Sequence, residues 1–201
     1  MAGAPMPRIR QALGREHEYV FINGRIETEP YPGAERLSTE FYGHTSIGDA
    51  RQHAELCDEL IDFVQAEGPF DGVMGFSEGG GAAGLILLQD LREHFGIKCA
   101  VFFSSAVPFD PGMVKKGIVR WLDPAIDGVS VRLPTAHIWC ESSGLEVAGT
   151  WAKMCEERTR EVYKHNLGHM IPGSHSQEGL KETVRIIERT IEKVKLAKGW
   201  P

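Results

Sequence analysis

The chain has 201 residues, 42% hydrophobic and 25% charged, which suits one soluble globular domain with a sizeable core. A net charge of −6 with scattered basic residues argues against nucleic acid or an anionic membrane as the main partner. The densest basic cluster, Lys193, Lys195 and Lys198, shares its segment with Glu188 and Glu192 and reads as a solvated helix face. Cys57, Cys99, Cys140 and Cys155 show neither C-x-x-C nor zinc spacing and fall in apolar segments, which suits a reducing compartment. There is no signal-peptide-like stretch and no run of 18 apolar residues, so a cytoplasmic protein is expected.

Taken in chain order, 9–13 is helix-like, and 18–22 (EYVFI) reads as a short buried strand ended by Asn23-Gly24. Residues 28–43, rich in proline and glycine, read as a long loop. The spacing of Ala54, Cys57, Leu60, Ile61 and Val64 predicts a helix over 47–66, with Ser46 as its cap. A strand over 70–76 leads into a helix over 78–94. Residues 98–104 (KCAVFFS) and 135–140 (TAHIWC) are further apolar strands. A helix over 147–158, a strand over 160–164 and a helix over 177–195 complete the pattern. Strands that alternate with helices, and lack polar alternation, indicate an α/β protein with a parallel sheet covered on both faces. No repeat or linker divides it, so 1–201 is expected to be a single domain.

The most informative motif is Gly75-Phe76-Ser77-Glu78-Gly79. A G-x-S-x-G pentapeptide between a strand and a helix is a nucleophile elbow, which lifts a serine hydroxyl into a cleft, and its strained turn tolerates little bulk at the two glycines. The following glycines, Gly80, Gly81 and Gly84, each cost roughly 1 kcal/mol relative to alanine inside a helix. That is tolerable where the helix lies close to the sheet and its N-terminus presents N–H groups to an anion. A serine needs a base, and the base needs an orienting group. In such a fold the chain order is serine, acid, histidine. His169, in Gly168-His169-Met170 before the last helix, is therefore the expected base. The acid belongs just past the strand 135–140, where Glu141 and Glu146 are available and Glu146 is preferred. His165 and His169 are four apart, but Asn166, Gly168 and Pro172 make the segment a loop, so no metal site is expected.

With these residues in place the chain resembles a family of serine hydrolases of the α/β-hydrolase branch, and is similar to fungal polyketide-associated esterases and thioesterases. The resemblance rests on EGPFDGVMGFSEGGGAA (67–83), AHIWCESSGLEVAGTWAKMC (136–155), HNLGHMIPG (165–173) and FINGRIETEP (21–30). It implies a three-layer sandwich with a mostly parallel sheet, and a lid and acyl-pocket segment at about 105–134 that includes Phe109, Met113 and Trp121. Two departures stand out. The usual first strand ending in Leu-His-Gly is missing from the sequence, so the backbone N–H of Glu78 is expected as oxyanion donor without the second donor of that loop. The family's acid position falls on Ser143, so either a glutamate of the same loop substitutes or the histidine works unassisted.

The reading is a serine esterase or thioesterase acting on a small-molecule acyl ester through an acyl-serine. It uses Ser77, His169 and Glu146, with Glu78 in the oxyanion site and no cofactor. A sheet edge left open by the missing strand favours a homodimer. A second reading keeps the pocket but makes the chain a biosynthetic cyclase or isomerase, and a third makes it an inactive binding homologue.

Overall fold

The computed structural model describes residues 6–30, 40–93, 95–141, 146–173 and 176–198. Its centre is a four-stranded parallel sheet in the order β3-β4-β5-β6, formed by β3 (Gly72–Phe76), β4 (Cys99–Phe103), β5 (Thr135–Cys140) and β6 (Arg160–His165). The register is continuous across the sheet, with Phe76 opposite Phe103, Phe103 opposite Ile138 and Cys140 opposite His165. Side chains alternate along a strand, so an entirely apolar strand feeds two cores at once. β4 does this. Ala100 and Phe102 join Leu56, Leu85 and Trp151 on one face, whereas Val101 and Phe103 join Ile9, Ile138 and Ile187 on the other.

The first face is covered by α2 (Ala50–Glu67), α3 (Glu78–Glu93) and α6 (Glu146–Lys153), and the second by α1 (Met6–Leu13) and α7 (Gln177–Lys198). The α/β architecture read from the sequence is therefore the one observed. The cap of α2 differs. Gly48 has φ +83°, which interrupts the helix before it can reach Ser46, and Ile47 is left exposed. Asp49 caps instead, its Oδ1 accepting from the N–H of Arg51 at 3.0 Å and of Gln52 at 3.1 Å.

The segment 18–22 is not a buried strand. A strand needs a partner, and among the described residues nothing pairs with the outer edge of β3. Val20, Phe21 and Ile22 are 57%, 48% and 42% exposed, and the chain pairs only later. There β1 (Ile26–Glu27), just before the stretch expected to be loop, runs antiparallel to β2 (Tyr42–Gly43) at the end of that stretch. The central part of that stretch, 31–39, lies outside the described residues.

Between β4 and β5 the chain forms two short helices, α4 (Pro111–Val114) and α5 (Pro124–Asp127), each begun by an aspartate cap and a proline. Arg120 ties them together, reaching Asp110 at the start of one and Asp127 in the other. Burial pushes the Asp110 carboxyl up, but Arg120 and the Met113 and Gly112 N–H groups together outweigh it, and at Asp127 the Arg120 hydrogen bond outweighs burial, so both carboxyls are held below the usual aspartate range.

Candidate active site

β3 ends by turning into α3 through Ser77, whose φ of 55° lies in the left-handed region that a non-glycine residue seldom occupies. Backbone hydrogen bonds hold it there. The Ser77 N–H donates to the Phe103 carbonyl at 2.9 Å, and the Ser77 carbonyl accepts from Gly80 at 3.0 Å and Ala106 at 2.9 Å. A Cβ on Gly75 would lie 2.2 Å from the Gly79 carbonyl oxygen, and one on Gly80 would lie 2.3 Å from Ser105 Oγ. Gly79, by contrast, has nothing within 4 Å of its missing Cβ. The close approach therefore falls on Gly75 and Gly80, not on both ends of the pentapeptide.

The histidine arrives from the other side of the sheet. Beyond β6 the chain turns at Gly168, φ +79°, and carries His169 back over the strand ends. His169 Nε2 lies 2.9 Å from Ser77 Oγ, a distance at which the hydroxyl donates to an unprotonated ring nitrogen. The ring packs against Phe76, centroid to centroid 4.9 Å. Burial lowers the His169 pKa from its ordinary value, which keeps the neutral, proton-accepting form populated.

Glu78 is the first residue of α3, so its backbone N–H has no acceptor within the helix and is placed beside Ser77. Its carboxylate has a job the sequence did not disclose: Oε1 accepts from the backbone N–H of His44 and of Thr45, both at 3.0 Å. Glu146 opens α6, and its side chain lies outside the described residues, as does Ser143. Glu141 is directed elsewhere, its Oε1 accepting from Lys164 Nζ at 2.6 Å on an exposed surface.

Ser77 and Glu78 line a cavity of about 490 Å³. Its walls include Val20, Phe21 and Ile22 on one side and Met74 of β3 on the other. Phe109, Met113 and Trp121, expected in the acyl pocket, do not line it. Phe109 is 3% exposed in the main core, and Trp121 packs edge-on against it and against His53. The segment between β4 and β5 is drawn into the core on the α2 side, so the unpaired 18–22 segment takes the wall position instead. A hollow of about 600 Å³ lies over β6 beside Glu141 and His165, and includes neither Ser77 nor His169. Among the described residues no cluster of histidine, cysteine or carboxylate side chains could hold a metal ion.

A serine at a strained strand–helix turn, hydrogen-bonded to a histidine from a loop after the last strand, is the arrangement of a serine hydrolase. Residues 4–181 match the serine hydrolase (FSH1) family, and the chain belongs to it. It is 29% identical to the esterase FPY3 of Fusarium mangiferae over 90% of this chain and 83% of the relative. It is 24% identical to the esterase FUS5 of Gibberella moniliformis over 96% and 83%. A shorter match, 36% identical over 50% of this chain and 36% of the relative, is to the esterase alnB of Emericella nidulans.

Proposed function

We propose that this chain hydrolyses a carboxylic ester or thioester through an acyl-Ser77 intermediate. The observation that carries the reading is the 2.9 Å approach of His169 Nε2 to Ser77 Oγ at the elbow. As Ser77 Oγ bonds to the substrate carbonyl carbon, His169 Nε2 takes its proton, and the carbonyl oxygen becomes an oxyanion facing the Glu78 N–H. Collapse breaks the bond to the alkoxide or thiolate, which leaves with the proton from His169. Water then attacks the acyl-serine, losing a proton to His169, which returns it to Ser77 Oγ as the carboxylic acid departs. Glu146 is the proposed orienting acid. The apolar wall at 20–22 favours an apolar acyl or leaving group.

A role in fungal secondary metabolism, on polyketide esters or thioesters, belongs to the same proposal, and the relatives named as esterases support its ester-cleaving part. A cytoplasmic setting is part of the same reading. None of the four cysteines forms a disulfide, and among the described residues no helix is long and apolar enough to cross a membrane. The test is turnover of p-nitrophenyl acetate, butyrate and octanoate, and of the matching alkyl thioesters, with a pre-steady-state burst of one product per chain. Turnover by Ser77→Ala equal to that of the unaltered protein would overturn the mechanism.

A further inference from the structure

One histidine of the cavity that Ser77 lines has no place in that mechanism. His44 lines the same cavity as Ser77 and Glu78. Its backbone is tied to the residue whose own N–H faces the oxyanion, since the His44 N–H donates to Glu78 Oε1 at 3.0 Å. The Thr45 N–H makes a second bond to the same oxygen at 3.0 Å. The loop is braced from behind as well: the Ser46 N–H donates to Gln52 Oε1 at 2.7 Å, and Thr45 Oγ1 lies 3.4 Å from His53 Nε2. On the other flank Gly43 pairs with Ile26, and Gly24 approaches so closely that a Cβ there would lie 2.4 Å from the Gly43 carbonyl oxygen. A side chain mounted on such a loop has a fixed origin, which is what a preorganised hydrogen-bond donor requires.

The acyl-serine mechanism as written draws on the Glu78 N–H alone, and the oxyanion holes of such serine hydrolases use two donors. Resting on that reading, we propose that the His44 imidazole is the second donor, giving an N–H to the carbonyl oxygen of the ester as charge develops on it. Desolvation lowers the His44 pKa against the opposing pull of Glu78 and Glu59, so the ring is neutral and keeps a single N–H for this purpose. A neutral ring adds no fixed positive charge beside His169, the proton carrier of the same site. Glu78 thus serves twice, through its N–H on the oxyanion and through its carboxylate as the positioning group for His44.

The experiment is steady-state hydrolysis of p-nitrophenyl butyrate by the whole chain and by His44→Ala, His44→Gln, Glu78→Ala and Glu78→Gln. Inhibition by an alkyl boronic acid, which forms a tetrahedral adduct on serine, and thermal melting accompany it. His44→Ala lowers kcat about 10²-fold with KM nearly unchanged, and weakens the boronic acid by a similar factor. His44→Gln, which keeps an N–H donor, recovers part of the loss. Glu78→Ala lowers kcat more than Glu78→Gln, which keeps an acceptor oxygen for the loop, and His44→Ala combined with Glu78→Ala is no worse than His44→Ala alone. A well-folded His44→Ala with unchanged kcat and boronic acid affinity overturns the proposal and leaves the acyl-serine reading standing. Absence of both turnover and boronic acid binding in the unaltered protein removes that reading, and this role with it.

Discussion

His169 Nε2 lies 2.9 Å from Ser77 Oγ, although the two residues are 92 positions apart and enter from opposite edges of the sheet. The serine sits at the end of β3, and the histidine follows β6, so the loop that carries it crosses the ends of the two strands between. Locally the contact is supported by the His169 ring packing on Phe76. It depends on the register of all four strands and on the loop turned at Gly168.

The ring of His169 must be unprotonated to accept the serine proton, and burial has lowered its pKa. Activity therefore rises with pH through a single ionisation whose midpoint lies below about 6.5, the ordinary histidine value, and is level through neutrality. The check is kcat/KM for a p-nitrophenyl ester from pH 4.5 to 8.5. A midpoint above the ordinary value would contradict the burial argument.

Gly75 and Gly79 occupy equivalent places in the pentapeptide but not in space. An added methyl at Gly75 meets the Gly79 carbonyl, whereas one at Gly79 meets nothing within 4 Å. Gly75→Ala is expected to cost about 1–3 kcal/mol by overpacking and to displace Ser77 from His169. Gly79→Ala changes stability by much less. Urea denaturation of the two variants, with their esterase rates, separates the cases.

Phe109 belongs to the core and Ile22 to the cavity wall. Phe109→Ala should destabilise the fold by about 3–5 kcal/mol with little effect on KM in the fraction that remains folded. Ile22→Ala should leave the melting temperature nearly unchanged and raise KM, more so for longer acyl chains. Reversal of this pattern would return the acyl pocket to the segment between β4 and β5.

His137 is buried in β5, stacked on Phe102 at 5.0 Å and 3.2 Å from Thr135 Oγ1, and burial with the nearby Arg160 lowers its pKa to about 3. The folded state holds a neutral ring, and the unfolded chain takes up a proton below about pH 6.5. Its contribution to stability is thus present above that pH and falls by about 1.4 kcal/mol per unit as pH drops towards the folded value. His137→Gln removes this dependence. Urea midpoints at pH 7, 6 and 5 should fall less steeply in the variant.

Features set by local sequence were legible beforehand. The elbow could be found because strand, turn and helix lie within a few residues of Ser77, and β5 carries its own apolar signature from Thr135 to Cys140. Features set by distant partners were not. Residues 18–22 have the composition of a strand, but a strand exists only where another edge receives it. Asp49 displaced Ser46 as cap because Gly48 adopts a left-handed backbone that Ile47-Gly48 does not advertise. His44 carries no motif at all, and its place on the cavity wall follows from a carboxylate 34 residues away. A histidine in a loop that contacts the residue after a nucleophile is visible only after folding.

The central claim is that Ser77 is an activated nucleophile made so by His169. Intact-mass spectrometry after treatment with a fluorophosphonate tests it most directly, comparing the unaltered protein with Ser77→Ala and His169→Ala. One adduct is expected on the unaltered protein, absent from Ser77→Ala and lost or greatly slowed in His169→Ala. A well-folded protein that takes up no adduct, or an adduct that persists in Ser77→Ala, would contradict it.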